Sequence, residues 1–306
     1  MRAITYSSYG SADNLELSEL PVPKVGPDSV LVRVKAASVN PVDWKVREGY
    51  LDGLMDTVFP VVPGWDVAGV VEQVGLDTPE FEVGDEVFGY VRKDWMQAGT
   101  FAEYVAAPVR TLAKKPAAWS FEEAAGVPLA GLTALQTIDR AGVSEGDTVL
   151  VHAAAGGVGS FAVQIATARG ARVIGTASEK NHDYVRSLGG EPVAYGDGLL
   201  ARVDELAPDG VDVILDYVGG VMDTTSELLS DLGVVVSVAD PTARTEHDGI
   251  YAWVRPSSDD LDELGRMAEA GALSVRVDQV FDLADAADAH RASETGHAVG
   301  KIVVRV

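Results

Sequence analysis

Residues Val149–Ser160 run Val-Leu-Val-His-Ala-Ala-Ala-Gly-Gly-Val-Gly-Ser, an apolar stretch that stops at three closely spaced glycines. The spacing Ala154-x-Gly156-x-x-Gly159 is a dinucleotide-binding fingerprint with alanine in place of its first glycine. Gly156 removes a side chain where the backbone must approach a pyrophosphate, and Gly159 lets a helix pack close to the preceding strand. A helix that begins here points free N–H groups and the positive end of its dipole at phosphates. The same glycines also suit a ligand-free strand-to-helix turn. The strand before the loop and the helix after it favour the phosphate reading. His152 falls in that strand and is expected to be a packed, hydrogen-bonded core residue rather than an acid or base.

The next apolar run, Arg172–Ser178, should end beside an adenosine ribose. Ser178 lies 178 − 156 = 22 residues beyond Gly156, near the ~20 expected for the ribose-binding position. An acidic residue there would accept from the ribose hydroxyls of NADH. The chain instead has Ala177 and Ser178, followed by Lys180, which suits the 2′-phosphate of NADPH. Glu179 is the counter-argument, because a shift of one residue would make it the ribose ligand. Taken alone, Lys180 would be an exposed lysine at a helix start.

Composition narrows the chemistry further. The chain has no cysteine, so disulfides, thiolate catalysis and cysteine-ligated zinc are excluded. Its first histidine is His152, and the carboxylates Asp43 and Asp66 alone do not make an ordinary catalytic zinc site. With 47 acidic and 24 basic residues among 306, the net charge is −23. That charge disfavours nucleic acid and anionic membranes as partners. Solubility is its plain explanation, and a salt-rich cytoplasm is a sharper one. No run approaches the ~18 apolar residues of a membrane span, and Met1–Tyr9 lacks the apolar core of a signal peptide. The expected location is cytoplasmic.

The loop must be held by regular elements, and the length suits two domains. Val30–Ala36, Val67–Val74, two pieces around a Gly-Asp turn in Phe81–Tyr90, and Phe101–Ala106 have strand character and suggest a compact β-barrel. From Ser120, an N-cap before Glu122 and Glu123, the texture changes. Strands Val149–His152, Ala171–Ala177, Val211–Tyr217 and Gly233–Ala239 alternate with helices Gly159–Arg169, Asn181–Leu188 and Met222–Leu229. This alternation predicts a parallel sheet covered by helices. A helix over Asp259–Glu269 follows, and Val275–Leu283 and Lys301–Val306 return to strand character.

These residues together resemble the medium-chain dehydrogenase/reductase superfamily, in its zinc-independent quinone oxidoreductase (zeta-crystallin-like) branch. Ser38-Val-Asn-Pro-Val-Asp-Trp44 resembles the front-domain Asn-Pro-x-Asp motif, and Pro60-Val-Val-Pro-Gly-Trp-Asp-Val-Ala-Gly69 the Pro-Gly-x-Asp/Glu-x-x-Gly motif. Val83–Val87 is similar to the usual turn before the next barrel strand, Ala155-Gly-Gly-Val-Gly159 to the branch's nucleotide loop, and Gly296–Val303 to its closing strand. Alcohol dehydrogenases of the superfamily carry a zinc-binding Gly-His-Glu where this chain has Gly64-Trp65-Asp66. Asp66 is therefore expected to have a structural or hydrogen-bonding role.

The resemblance covers essentially the whole chain and implies an α/β protein: a GroES-like β-barrel domain plus a Rossmann doubly wound parallel-sheet domain. The first would be formed by residues 1–120 with 272–306 and the second by 121–271. It implies cofactor contacts from Asn40, Thr133, Ala155, Gly156, Gly157, Val158 and Gly159. Further contacts would come from Ser178, Lys180 and Tyr195 at the 2′-phosphate, and from Val218, Gly219, Val238 and Ala239 at strand ends. Members of the family often form homodimers through the Rossmann domain.

The implied activity is hydride transfer from NADPH to a quinone or similar small conjugated carbonyl, which disperses negative charge without a metal. Asn40 and Tyr50 are the catalytic candidates, although water can replace Tyr50 as proton donor. Trp44, Trp65 and Trp95 could stack on a planar acceptor or simply fill the core. A 2-alkenal or enone reductase shares every feature above, and a non-catalytic NADPH-binding sensor or structural protein shares the fold.

Overall fold

The computed structural model describes Met1–Val306 and resolves into two compact units. One comprises Met1–Leu132, Pro256–Gly271 and Val275–Val306; the other comprises Thr133–Arg255 and Ala272–Ser274.

The first unit is built on a seven-stranded sheet. Its long strand Ser29–Val39 pairs along one side with Asp66–Val74, which pairs with Glu86–Tyr90 and then Leu112–Lys114. On its other side the strand is shared. Ser29–Arg33 pair with Tyr104–Pro108, while Ala36–Val39 pair with the C-terminal strand Lys301–Arg305. Val277–Asp282 lies outside that strand, in parallel. The valine-rich alternation has a direct consequence: Val30, Val32, Val34, Val67, Val71, Val87 and Val105 all point into one buried cluster.

Several expectations are corrected here. Phe81 is buried but precedes the strand, which begins only at Glu86 after the Val83-Gly84 turn. The expected Phe101–Ala106 strand is Tyr104–Pro108. Helices Pro41–Arg47 and Ala286–Glu294 were not foreseen. They are tied together by Arg47, which is fully buried. Its guanidinium donates to Gly10 O, His290 Nδ1 and Glu48, and pairs with Glu294 at 2.9 Å. Ser120 caps the helix Phe121–Gly126 by accepting from Glu123 N, while Glu123 accepts in return from Ser120 N.

The first unit reaches Leu132 and reclaims 256–271, beyond the boundaries suggested by the sequence. The physical reasons are packing contacts: Asp66 accepts from Leu129 N, and the backbone of Gly131 lies against Leu264. Residues 272–274 go with the second unit because Gln164 makes paired hydrogen bonds with Ser274.

The second unit holds a six-stranded, all-parallel sheet. Across the sheet its strands run Glu191–Ala194, Arg172–Ala177, Thr148–Val151, Val211–Asp216, Leu229–Ser237 and Ile250–Tyr251. The order reverses beside Thr148–Val151, which creates a crevice at the carboxyl ends of the strands. Helices Gly157–Ala168, His182–Ser187 and Leu199–Leu206 connect the first four strands in sequence. The helix expected over Met222–Leu229 is only Met222–Thr225 plus a tight turn, because the next strand already starts at Leu229. No helix is long and apolar enough to cross a membrane.

Candidate functional site

In the second unit the glycine loop joins the central strand Thr148–Val151 to the 12-residue helix Gly157–Ala168. Gly156 is the N-cap, with extended backbone, so glycine is not required there for its dihedral angles. It leaves space instead: an added Cβ would sit 3.2 Å from Ala153 O. At Gly159 a Cβ would lie 2.2 Å from the same carbonyl, so only glycine allows this helix to approach the strand. Ser160 N is the first helical amide bonded back into the chain, to Gly156 O. The amides of Gly157, Val158 and Gly159 therefore point out of the helix start unpaired. That cradle fits a pyrophosphate. Beneath it His152 is buried against Thr176, and burial pushes its pKa down to about 4 despite the nearby Asp216. It is a neutral core residue, as expected.

The neighbouring strands bring the other candidates to the same end of the sheet. Ala177 and Ala194 are paired, so Ser178 and Tyr195 leave adjacent strands side by side. Lys180 and Tyr195 are exposed and Ser178 is partly so; neither Ser178 nor Lys180 has a side-chain partner in the chain. Glu179 is exposed as well. Thr133 and Val238 line one small pocket with Ala252 and Trp253. Gly219 and Ala239 face each other across adjacent strand-end loops, and both loops are anchored by Asp216 and Ser237, which sequence reasoning overlooked.

In the first unit the candidates separate. Asn40 is buried at the start of helix Pro41–Arg47, and its amide is engaged at both ends. Oδ1 accepts from Lys301 Nζ at 2.5 Å, and Nδ2 donates to Asp66 Oδ2 at 2.8 Å. Asp66 also accepts from Ser38 Oγ and Leu129 N, the hydrogen-bonding role foreseen for it. Asp43 accepts from Asn40 N at 2.7 Å, and burial pushes its pKa up to about 8. Burial also raises the Asp66 pKa and lowers that of Lys301, while their opposite charges work against both shifts. Lys301 escaped notice because its partners lie more than 200 residues away in sequence; only its Gly-Lys-Ile-Val context marked the segment.

Tyr50 is not part of this cluster. It is 68% exposed, packs edge-on against Trp44, and its hydroxyl has no hydrogen-bond partner. Trp65 and Trp95 instead line a narrow cleft with Tyr6, Asp43, Lys93 and Gln97. Trp65 is buried against Tyr90, whereas Trp95 is about half exposed. The Tyr6 hydroxyl is buried and unpaired, and burial raises its pKa.

Comparison with known proteins agrees with this architecture. Residues 26–117 match the alcohol dehydrogenase GroES-like domain, and residues 188–304 match the model described as zinc-binding dehydrogenase. The chain is 38% identical to an NADPH-dependent alkenal/one oxidoreductase of Arabidopsis thaliana, over 99% of its own length and 79% of the relative's. A quinone oxidoreductase from Coxiella burnetii superposes with a TM-score of 0.88 at 34% identity, covering 100% of this chain and 99% of the other. An NAD-dependent alcohol dehydrogenase superposes with a TM-score of 0.91, also at 34% identity and with full coverage of both chains. The chain belongs to the medium-chain dehydrogenase/reductase superfamily, in the branch of quinone oxidoreductases and alkenal reductases.

Proposed function

We propose that the protein is an NADPH-dependent, metal-independent reductase that passes hydride to a quinone or similar conjugated carbonyl. The observation that carries the reading is the phosphate cradle: three unpaired amides at a helix start, over glycines that leave room for a ligand. NADPH is favoured over NADH by unpaired Lys180 beside Ser178, and by the cofactor named for the Arabidopsis relative.

When bound, the cofactor supplies the hydride. The chain's residues bind and orient. The amides of Gly157, Val158 and Gly159 hold the pyrophosphate, with Ala155 and Gly156 leaving space for it. Ser178, Lys180 and Tyr195 hold the 2′-phosphate. Thr133, Val218, Gly219, Val238 and Ala239 line the rest of the cofactor. Asn40 has one amide hydrogen left for an acceptor oxygen, while Lys301 and Asp66 fix its orientation. The exposed Tyr50 hydroxyl is free to deliver a proton. Trp65 and Trp95 offer aromatic surface to a planar acceptor. Metal independence follows from donor chemistry: there is no cysteine, no histidine precedes His152, and Asp43 and Asp66 are engaged by neighbouring groups.

A 2-alkenal or enone reductase is the second reading, favoured by the Arabidopsis relative's name. Measuring NADPH oxidation with a benzoquinone and with a 2-alkenal, each with and without a chelator, tests the proposal. Faster turnover of the quinone, unaffected by chelation, is the expected result. Preference for the alkenal selects the second reading. Tight NADPH binding with no oxidation by any acceptor makes the protein a non-catalytic binder, and loss of turnover on chelation overturns metal independence.

A further inference from the structure

The carboxyl ends of strands Val211–Asp216 and Leu229–Ser237 are tied to a single buried post. Asp216 and Ser237 are paired across the two parallel strands, and both are fully buried. Asp216 Oδ2 accepts from Ser237 Oγ at 2.6 Å. Asp216 Oδ1 accepts from Val218 N and Gly219 N, both at 2.9 Å. Ser237 Oγ accepts in turn from Ala239 N at 3.1 Å and Asp240 N at 2.9 Å. Each loop is therefore anchored by two of its amides, and the carboxylate–hydroxyl bond locks the loops to each other. Gly220 N adds a second link by donating to Asp240 Oδ2 at 3.2 Å.

This arrangement is unusually costly as core filling. A fully buried carboxylate loses its hydration, and an apolar pair would fill the same space without that penalty. Its effect is to turn amides of both loops inward. The carbonyls of Val218, Gly219, Val238 and Ala239 receive no hydrogen bond from the protein. The rim at this end of the sheet is thus rich in acceptors, which suits a ligand end that presents N–H donors, such as a carboxamide. The phosphate cradle and Lys180 lie at other strand ends and have no bond to the post.

We infer that Asp216 and Ser237 are positioning residues that fix the two loops against the nicotinamide end of the cofactor, and that this function resides in hydrogen-bond geometry rather than charge. The inference rests on the NADPH reading above.

Calorimetric titration with NADPH and, separately, with 2′,5′-ADP tests it, because the second ligand carries the adenosine phosphates but no nicotinamide. The parent should bind both. Ser237→Ala should weaken NADPH about tenfold, the effect of leaving buried groups unpaired, and leave 2′,5′-ADP within about twofold of the parent, well inside that tenfold step. Asp216→Asn keeps an oxygen for Val218 N and Gly219 N but puts a donor where the Ser237 hydroxyl needs an acceptor, so it should weaken NADPH about as much as Ser237→Ala does; Asp216→Ala, which also frees both amides, should lose it. Retained 2′,5′-ADP binding also reports that each variant is folded. Equal weakening of both ligands, or unchanged NADPH binding in Ser237→Ala, overturns the inference while leaving the NADPH reading intact. Asp216→Asn as weak as Asp216→Ala overturns the geometric role. A parent that binds neither ligand overturns the NADPH reading and the inference with it.

Discussion

Lys301 Nζ donates to Asn40 Oδ1 at 2.5 Å, joining two buried side chains 261 residues apart in sequence. Asn40 passes the contact on to Asp66, so a cation and a carboxylate are bridged by one amide. Removing Lys301 alone strands the amide oxygen and leaves Asp66 without its compensating charge. Lys301→Met should therefore cost about 3 kcal/mol of stability. Adding Asp66→Asn should recover part of that loss, because it removes the uncompensated charge. Urea unfolding of the two single variants and the double variant checks this. Strictly additive losses would show that the bridge carries no coupling.

The pH dependence of stability has two opposing arms. Burial raises the Asp43 pKa to about 8, so the native state holds a proton that the unfolded chain releases near pH 4. That contribution is complete below the unfolded pKa and is lost as pH rises towards 8, by at most ~1.4 kcal/mol per unit. His290 works the other way. Burial, reinforced by the Arg47 guanidinium 3.3 Å from Nδ1, pushes it down to about 3. Arg47 can only donate, so Nδ1 accepts and the ring is neutral. Its contribution is present above the ordinary histidine range and disappears as pH falls towards 3. Asp43→Asn should make the alkaline arm of a stability–pH curve shallower, with the raised Asp66 carboxyl supplying what remains, and leave the acid arm alone. An unchanged alkaline arm would show that Asp43 is already ionised in the folded protein.

The glycines of the nucleotide loop should respond differently to small side chains. Gly156→Val places its bulk where the pyrophosphate must lie, yet a Cβ meets the protein only at 3.2 Å. NADPH binding should disappear while the melting temperature stays close to the parent's. At Gly159 the first added carbon is 2.2 Å from Ala153 O, so Gly159→Ala should destabilise the fold itself by about 1–3 kcal/mol. Thermal unfolding and calorimetry on both variants separate the effects. Unchanged NADPH affinity in Gly156→Val would falsify the location of the cradle.

Lys180 has no carboxylate partner in the protein, so a bound 2′-phosphate would be its sole counter-charge. Lys180→Ala should weaken NADPH binding by roughly one to two orders of magnitude. NADH should be affected little, and the difference should shrink as salt rises. Comparing both dissociation constants in variant and parent tests this. A parent that prefers NADH would make Glu179 the ribose ligand, in line with the NAD-dependent structural neighbour.

Much of the second unit, and the helix start at Ser120 in the first, was legible because the signals are local. Alternating apolar runs, glycines at turns and the capping serine at Ser120 each act within a few residues. The same signals were present but passed over at Asn40-Pro41, where a polar N-cap, proline at the first helical position and Asp43 at the third start the short helix Pro41–Arg47. The short strands Thr57–Val62 and Met96–Ala98 were missed for another reason: they pair with each other and, at Val61, with Tyr6, so tertiary packing rather than alternation determines them. The candidate site divides in the same way. The glycine loop can be read from spacing, whereas Lys301 with Asn40, Asp216 with Ser237 and Arg47 with His290 exist only once distant segments meet.

The C-terminal strand Lys301–Arg305 runs between Val277–Asp282 and residues Ala36–Val39 of the long strand. During translation, the first unit's sheet must therefore wait until Lys301–Arg305 have been synthesised, with half of one side of Ser29–Val39 unpaired. The parallel sheet needs nothing after Tyr251 for its six strands, so it can assemble while synthesis continues. The part of the molecule that starts second is the first that can finish. In the nascent chain the waiting strand edge is the segment most in need of a chaperone's cover.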